Sequence, residues 1–139
     1  VQGHEGDAAT RLEAIASGDG VALPLPMREE SGVLRADWAP LLPMLLDQGL
    51  AAGIRSANFH ASLAALIASQ AVALRERHGV AAVGLAGGVF QNRRLTGQAV
   101  ERLAEAGFEV ILPQRLPVND AAISFGQIVE AQAAMKGPA

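Results

Sequence analysis

Two short stretches combine residue types suited to charged ligands. In Gly84-Leu85-Ala86-Gly87-Gly88-Val89-Phe90-Gln91-Asn92 an apolar run ends in paired glycines and then an amide. Glycine lacks Cβ, so backbone at this point can approach a ligand closely or take positive φ. If a helix starts beyond the turn, its first N–H groups and the positive end of its dipole suit a phosphate or an adenylate. The second stretch, Pro117-Val118-Asn119-Asp120-Ala121-Ala122-Ile123, sets a carboxylate ahead of a helical pattern. Such a group can ligate a hard cation or orient a nucleophile. Both stretches also have a plainer reading, because Asn92 and Asp120 each stand where a helix N-cap is expected. The turn is not a P-loop, since no Gly-Lys-Ser/Thr follows, and the G-x-G-x-x-G spacing of a dinucleotide site is missing. On residue type and spacing alone the cap is the default at both positions.

The other reactive side chains add little. His4, His60 and His78 are far apart, and no pair has the i, i+4 spacing that puts two imidazoles on one helix face. His60, beside Phe59, reads as a packed imidazole with one nitrogen satisfied. His78 reads as a cation at a helix C-terminus. Arg93-Arg94 reads as a solvated helix start, and Trp38 as a core or interface anchor.

The elements that must position these groups follow from hydrophobic period. Residues 5–16 read as a helix, with Ala8, Leu12 and Ile15 on one face. Ser17-Gly18-Asp19-Gly20 and the prolines at 24 and 26 mark a loop with extended segments. Residues 33–37 suit a short strand. Pro40 opens a helical stripe of Leu41, Leu42, Leu45 and Leu46. A long helix is expected over 56–78, with Ser56 as N-cap and Gly79 as the left-handed residue after it. Residues 80–86 form an apolar run of a length that fits a buried strand, and 92–106 return to helical spacing through Leu95, Ala99 and Leu103. A second strand is expected over 108–112, and a last helix follows Asp120 with Ile123, Gln127, Ile128 and Ala131 along it. Strand, helix, strand, helix in this order predicts a parallel sheet with covering helices, so the fold class is α/β, weighted towards helix.

Composition narrows the function. The chain has 139 residues, which is about one domain. It has no Cys, which removes disulfides, thiolate metal sites and a cysteine nucleophile from within it. Its 11 Lys and Arg against 14 Asp and Glu give no electrostatic reason to favour nucleic acid. No run of about 18 consecutive apolar residues appears, so no membrane span is expected. Val1 in place of Met reads as an internal beginning, as though the chain were a piece of something longer.

The motifs resemble the C-terminal, Kae1-like end of the HypF family, carbamoyltransferases of [NiFe] hydrogenase maturation. The resemblance rests on Ala86-Gly87-Gly88-Val89-Phe90-Gln91-Asn92-Arg93, on Ala106-Gly107-Phe108-Glu109-Val110 and on the block from Pro117-Val118-Asn119-Asp120 to Gly126-Gln127. The opening, His4-Glu5-Gly6-Asp7-Ala8-Ala9-Thr10-Arg11-Leu12-Glu13, is similar to the family's Y-E-G-x-A-A-M-x-L-E, and Asn58-Phe59-His60-Ala61-Ser62-Leu63-Ala64 also fits. His4 stands for the usual Tyr and Thr10 for the usual Met.

The resemblance implies an actin-like ATPase (ASKHA, RNase H-like) fold with a mixed sheet covered by helices, residues 1–139 being its single C-terminal lobe. It implies transfer of a carbamoyl group from carbamoyl-adenylate, made from carbamoyl phosphate and ATP, to the C-terminal cysteine of the partner HypE. That thiocarbamate is the source of the cyanide ligands of the hydrogenase iron. Gly87, Gly88 and Asn92 would line the nucleotide site. Asp7, with Glu5 second, would be the acidic residue facing the ribose. Asp120 would ligate a divalent metal (iron, zinc or magnesium) completed by histidines of an H-x-x-x-H segment that this chain lacks. A cytoplasmic protein is implied, and a fragment inactive by itself. Two other readings stay open: a relative of the tRNA threonylcarbamoyl transferases, and a non-catalytic docking lobe.

Overall fold

The computed structural model describes residues 6–136. In chain order it contains α1 (Asp7–Ile15), β1 (Met27–Glu30), β2 (Val33–Ala36), α2 (Leu41–Leu46), α3 (Ala52–His78), β3 (Ala82–Gly84), α4 (Arg93–Glu105), β4 (Glu109–Ile111) and α5 (Ile123–Lys136). One-turn 3-10 segments stand at Gly88–Gln91 and Asp120–Ala122.

The core lies where α3 crosses α4. Ala57, Ala61, Ala64 and Ala71 are buried along α3, spaced by four, three and seven residues, and α4 answers with Leu95, Ala99 and Leu103. Small residues on one helix leave room for the leucines of the other, so the two backbones approach closely. Leu85 and Phe108, each next to a strand, complete the cluster. Arg75 fastens the far end: its guanidinium lies 4.3 Å over the Phe108 ring and donates to the Ala106 carbonyl at 2.7 Å.

β3 and β4 pair in parallel, Ala82 with Glu109 and Gly84 with Ile111, and α4 is the crossover between them. A parallel pair needs such a connection, and the expected helix-rich α/β organisation is present. The expected mixed sheet is not formed by the described residues. β3–β4 and the antiparallel hairpin β1–β2 are separate two-stranded sheets. Nor is the 80–86 run buried on both faces. Val83 and Leu85 turn to the helices while Ala82 and Gly84 are exposed, because helices cover only one face of the pair.

Three features differ from expectation. α3 starts at Ala52 rather than after Ser56. Ser56 is fully buried a turn inside the helix, and its hydroxyl donates to the Leu12 carbonyl of α1, so it joins two helices and caps neither. Gly53 sits in the added turn, where its carbonyl accepts from Ser17 N at 3.1 Å. β1 reads Met-Arg-Glu-Glu and carries no apolar alternation, so nothing in its pattern announced a partner for β2. In α2 the inward residues are Leu41 and Met44, while Leu42 and Leu46 face outward.

Trp38 is 61% exposed and takes no part in the core. α3 ends at His78 as expected, with Gly79 N donating to Arg75 O at 2.8 Å. By length and composition α3 is long and apolar enough to cross a membrane. In this fold it is the central helix, against which α1, α2 and α4 pack. α5 forms where expected, but Ile123, Phe125, Ile128, Val129 and Met135 are all exposed along it. Its main contact is the 3-10 segment that precedes it.

Candidate functional site

Both motif turns leave the carboxyl ends of the parallel strands, the end at which open α/β sheets receive ligands. After β3 the chain runs through Gly87 and Gly88 into α4; after β4 it runs through Val118 and Asn119 to Asp120. The turns are tied together. Gly87 N donates to Val118 O at 2.6 Å, and Gly87 takes φ 110°, which an L side chain resists. Gly88 has no such conformational need, and a Cβ there would meet only Asn119 Cβ at 3.9 Å. Among the described residues, nothing crowds the glycine pair.

Two grooves open beside these turns. One, of about 280 Å³, is lined by Gly6, Ala9, Thr10 and Glu13 of the α1 region and by Gly88 and Asn92 opposite. The other, of about 430 Å³, includes Gly87, Val118, Asn119 and Asp120. The glycine turn lies between them.

Asn92 is the N-cap of α4, as its type predicts: Oδ1 accepts from Leu95 N at 2.8 Å. Its other end is also engaged, with Nδ2 2.8 Å from His60 Nε2. His60 is 2% exposed, and Nδ1 bonds to the Ser56 carbonyl at 2.7 Å. Both imidazole nitrogens are therefore satisfied, where the sequence suggested one.

The start of α4 does not present free N–H groups to an anion. Arg93 N and Arg94 N donate to Glu13 Oε1 at 2.7 and 3.2 Å, Leu95 N to Asn92 Oδ1, and Thr96 N to Asn92 O at 3.0 Å. A carboxylate from α1 fills the position expected for a phosphate, and it suits the positive end of the helix dipole in the same way. The Arg94 guanidinium donates to Gly18 O at 2.8 Å and so pins the loop after α1, while Arg93 is exposed.

Asp120 is exposed and opens the second 3-10 segment, but it is not the cap. Asn119 is, accepting from Ala121 N at 3.2 Å. The capping amide leaves the Asp120 carboxylate uncommitted to that task. Asp7 is buried at the start of α1 and pairs with Arg11 Nε at 3.0 Å. It is not among the α1 residues that line the first groove, which are Gly6, Ala9, Thr10 and Glu13. Glu5 falls outside the described residues.

The structure thus brings Gly88 and Asn92 to one groove and Gly87 and Asp120 to the other, with Asp7 lining neither. Glu13 is a residue that reasoning from residue type passed over, and its place in a stretch that carried the family resemblance was its only mark; His60 was read as packing, and its bond to Asn92 was missed.

Comparison with known proteins identifies the family. Residues 1–127 match the family described as carbamoyltransferase, Kae1-like domain, second subdomain. The chain belongs to this family. It is 33% identical over 128 residues to the carbamoyltransferase HypF of Synechocystis sp., covering 90% of this chain and 16% of that protein. It is 37% identical over 139 residues to HypF of Rhodobacter capsulatus, covering 97% and 17%. The second subdomain thus spans a small part of the curated relatives it matches. Among solved structures, full-length HypF in the phosphate- and nucleotide-bound form superposes with a TM-score of 0.86 at 32% identity, over 96% of this chain and 18% of that one. HypF of T. kodakarensis superposes at 0.79 with 24% identity, again over 96% and 18%, and shares the fold.

Proposed function

We propose that this chain is one lobe of a carbamoyltransferase site with the actin-like ATPase fold, working within a longer polypeptide. The reaction is transfer of the carbamoyl group of carbamoyl-adenylate to the C-terminal cysteine thiol of HypE. The thiolate attacks the carbamoyl carbon, a C–S bond forms, and AMP leaves with the electrons of the broken C–O bond. The thiocarbamate so made serves cyanide ligand synthesis for [NiFe] hydrogenase. No Cys occurs in this chain, which fits a nucleophile supplied by the acceptor.

The observation that carries the reading is the joining of the two motif turns at the carboxyl ends of a parallel strand pair, through Gly87 N and Val118 O. Gly87 and Gly88 leave open backbone between the grooves, room that nothing in the described chain fills. Asn92 offers the nucleotide what its internal bonds leave over, one amide hydrogen and one lone pair. The phosphates are excluded from the first turn of α4, which Glu13 holds, and belong on the glycine-turn side of it.

A metal is a different matter. Among the described residues no group of three or more His, Cys, Asp or Glu stands close enough to hold an ion. The described residues therefore do not make a metal site by themselves. Asp120 can contribute one carboxylate oxygen to a site completed by histidines elsewhere in the polypeptide.

The test is Asp120→Ala in the full-length protein, with carbamoylation of HypE as the readout. Asp120 is exposed and caps nothing, so the fold survives and transfer is lost. Transfer near the wild-type rate refutes the assignment of Asp120 to the site.

A further inference from the structure

The capping bond sets which end of the Asn92 amide turns inward, and a buried histidine behind it holds that end. Leu95 N can only donate, so the Asn92 atom 2.8 Å from it is Oδ1, and Nδ2 must face His60. Nδ2 can only donate, so His60 Nε2 accepts. The Ser56 carbonyl can only accept, so His60 Nδ1 carries the proton. The result is one directional line of bonds, from the Leu95 N–H through the Asn92 amide and the imidazole to a carbonyl of α3. Every polar atom in it has a single consistent role.

Burial shows that this line is more than space-filling. His60 is 2% exposed, in the wall between α3 and the start of α4, with the Phe59 ring edge-on at 5.7 Å. An apolar side chain would fill that volume with no polar group to desolvate. An imidazole is worth its desolvation there only if both nitrogens are used, and both are.

We infer that His60 is a positioning residue for the nucleotide site: through Nε2 it fixes the Asn92 amide in the one orientation that caps α4 and leaves its second N–H for the ligand. The inference rests on the proposal that Asn92 contacts the nucleotide. Without His60 the amide keeps its cap bond but loses its second anchor, and its Nδ2 is no longer held.

Two variants separate the nitrogens. The amide of His60→Asn reaches the Nδ1 position and keeps the bond to Ser56 O, but leaves Asn92 without its partner. The amide of His60→Gln reaches the Nε2 position and keeps an acceptor for Asn92. The experiment titrates ATP into the full-length protein and takes as the relevant site the binding that Asn92→Ala weakens. His60→Asn should weaken that binding about three- to tenfold, the worth of one buried hydrogen bond. His60→Gln should restore it to within about twofold of wild type. Urea midpoints of both variants are measured alongside. Equal ATP affinities for the two variants overturn the inference, as does weaker binding by His60→Gln, since a role confined to packing does not distinguish the nitrogens in this direction. If Asn92→Ala leaves all ATP binding unchanged, the Asn92 reading itself falls and the inference with it. Selective ¹⁵N labelling of His60 gives a check without ligand: the Nδ1–H tautomer is expected, and the Nε2–H tautomer overturns the bond line.

Discussion

The carboxylate of Glu13 should be worth more to α4 than its place on a surface helix suggests. Glu13→Ala removes the acceptor of two first-turn N–H groups, those of Arg93 at 2.7 Å and Arg94 at 3.2 Å. A hydrogen bond to a charged acceptor contributes about 1.5–3 kcal/mol, and a negative charge at a helix N-terminus about 0.3–1 kcal/mol. The Arg93 contact is exposed and water can replace much of it; the Arg94 contact is partly buried and recovers less. A net loss of about 1–2 kcal/mol follows, concentrated in the first turn of α4. At about 1.4 kcal/mol per tenfold, the amides of that turn should exchange with solvent roughly 5- to 30-fold faster. Glu13→Gln keeps an oxygen acceptor and should lose only about 0.5 kcal/mol, the charge–dipole part. Hydrogen exchange read by mass spectrometry on peptides spanning 90–100 gives the answer directly. Added inorganic phosphate sharpens it: phosphate should slow exchange in Glu13→Ala, where it can take the vacated position, and leave the wild type unchanged. Exchange in Glu13→Ala within twofold of wild type, or equal phosphate protection in both proteins, would refute the reasoning.

Two further perturbations test the scaffold. Ala99→Leu adds three carbons at a fully buried point of the α3–α4 seam, and should cost about 1–3 kcal/mol by overpacking, read as a lowered urea midpoint. Gly20→Ala should cost at least about 1–2 kcal/mol, because Gly20 holds φ 82° and a Cβ there would press into the Ala57 carbonyl. A Gly20→Ala protein of wild-type stability would mean that the segment does not lie so close to α3.

The periodic elements were legible because their causes are local. The 92–106 helix, its Asn92 cap and its Leu95, Ala99 and Leu103 face all appear as written, since cap chemistry and a 3.6-residue period act within a few residues. The same goes for the end of α3 at Gly79. Ser56 misled because a hydroxyl ahead of an apolar run looks the same whether it caps its own helix or bonds a neighbouring one. Only the position of Leu12, 44 residues away, decides that. Asp120 misled in a related way: two adjacent residues could cap, and the geometry selected Asn119. β1 was invisible since Arg28, Glu29 and Glu30 are exposed and their pattern answers to water. At the site, the two turns could be read singly but not their joining through Gly87 and Val118. The Glu13 contact to α4 spans 80 residues, with no local signature at either end.

The polar residues of α3 between 56 and 62 form two pairs, each four residues apart. Ser56 and His60 reach α1 and α4; Asn58 and Ser62 hold the extended segment by accepting from Val21 N at 2.8 Å and Leu23 N at 2.9 Å. In sequence Asn58 and Ser62 look like the ordinary hydrophilic positions of a helix, the kind that tolerate exchange, and Ser56 and His60 like a cap and a packed ring. In the fold they answer to three distant stretches of chain: α1, the extended segment after it and the start of α4. A saturation library over α3 should therefore show an inverted profile, with substitutions at these polar positions tolerated less well than conservative swaps among half-buried neighbours such as Leu63 and Ile67. Drift in this helix is constrained by its hydrophilic letters: Ser56, Asn58 and Ser62 answer to backbone groups that no remote substitution can adjust, and His60 to the side chain of Asn92, so a homologue that changes His60 should change Asn92 as well.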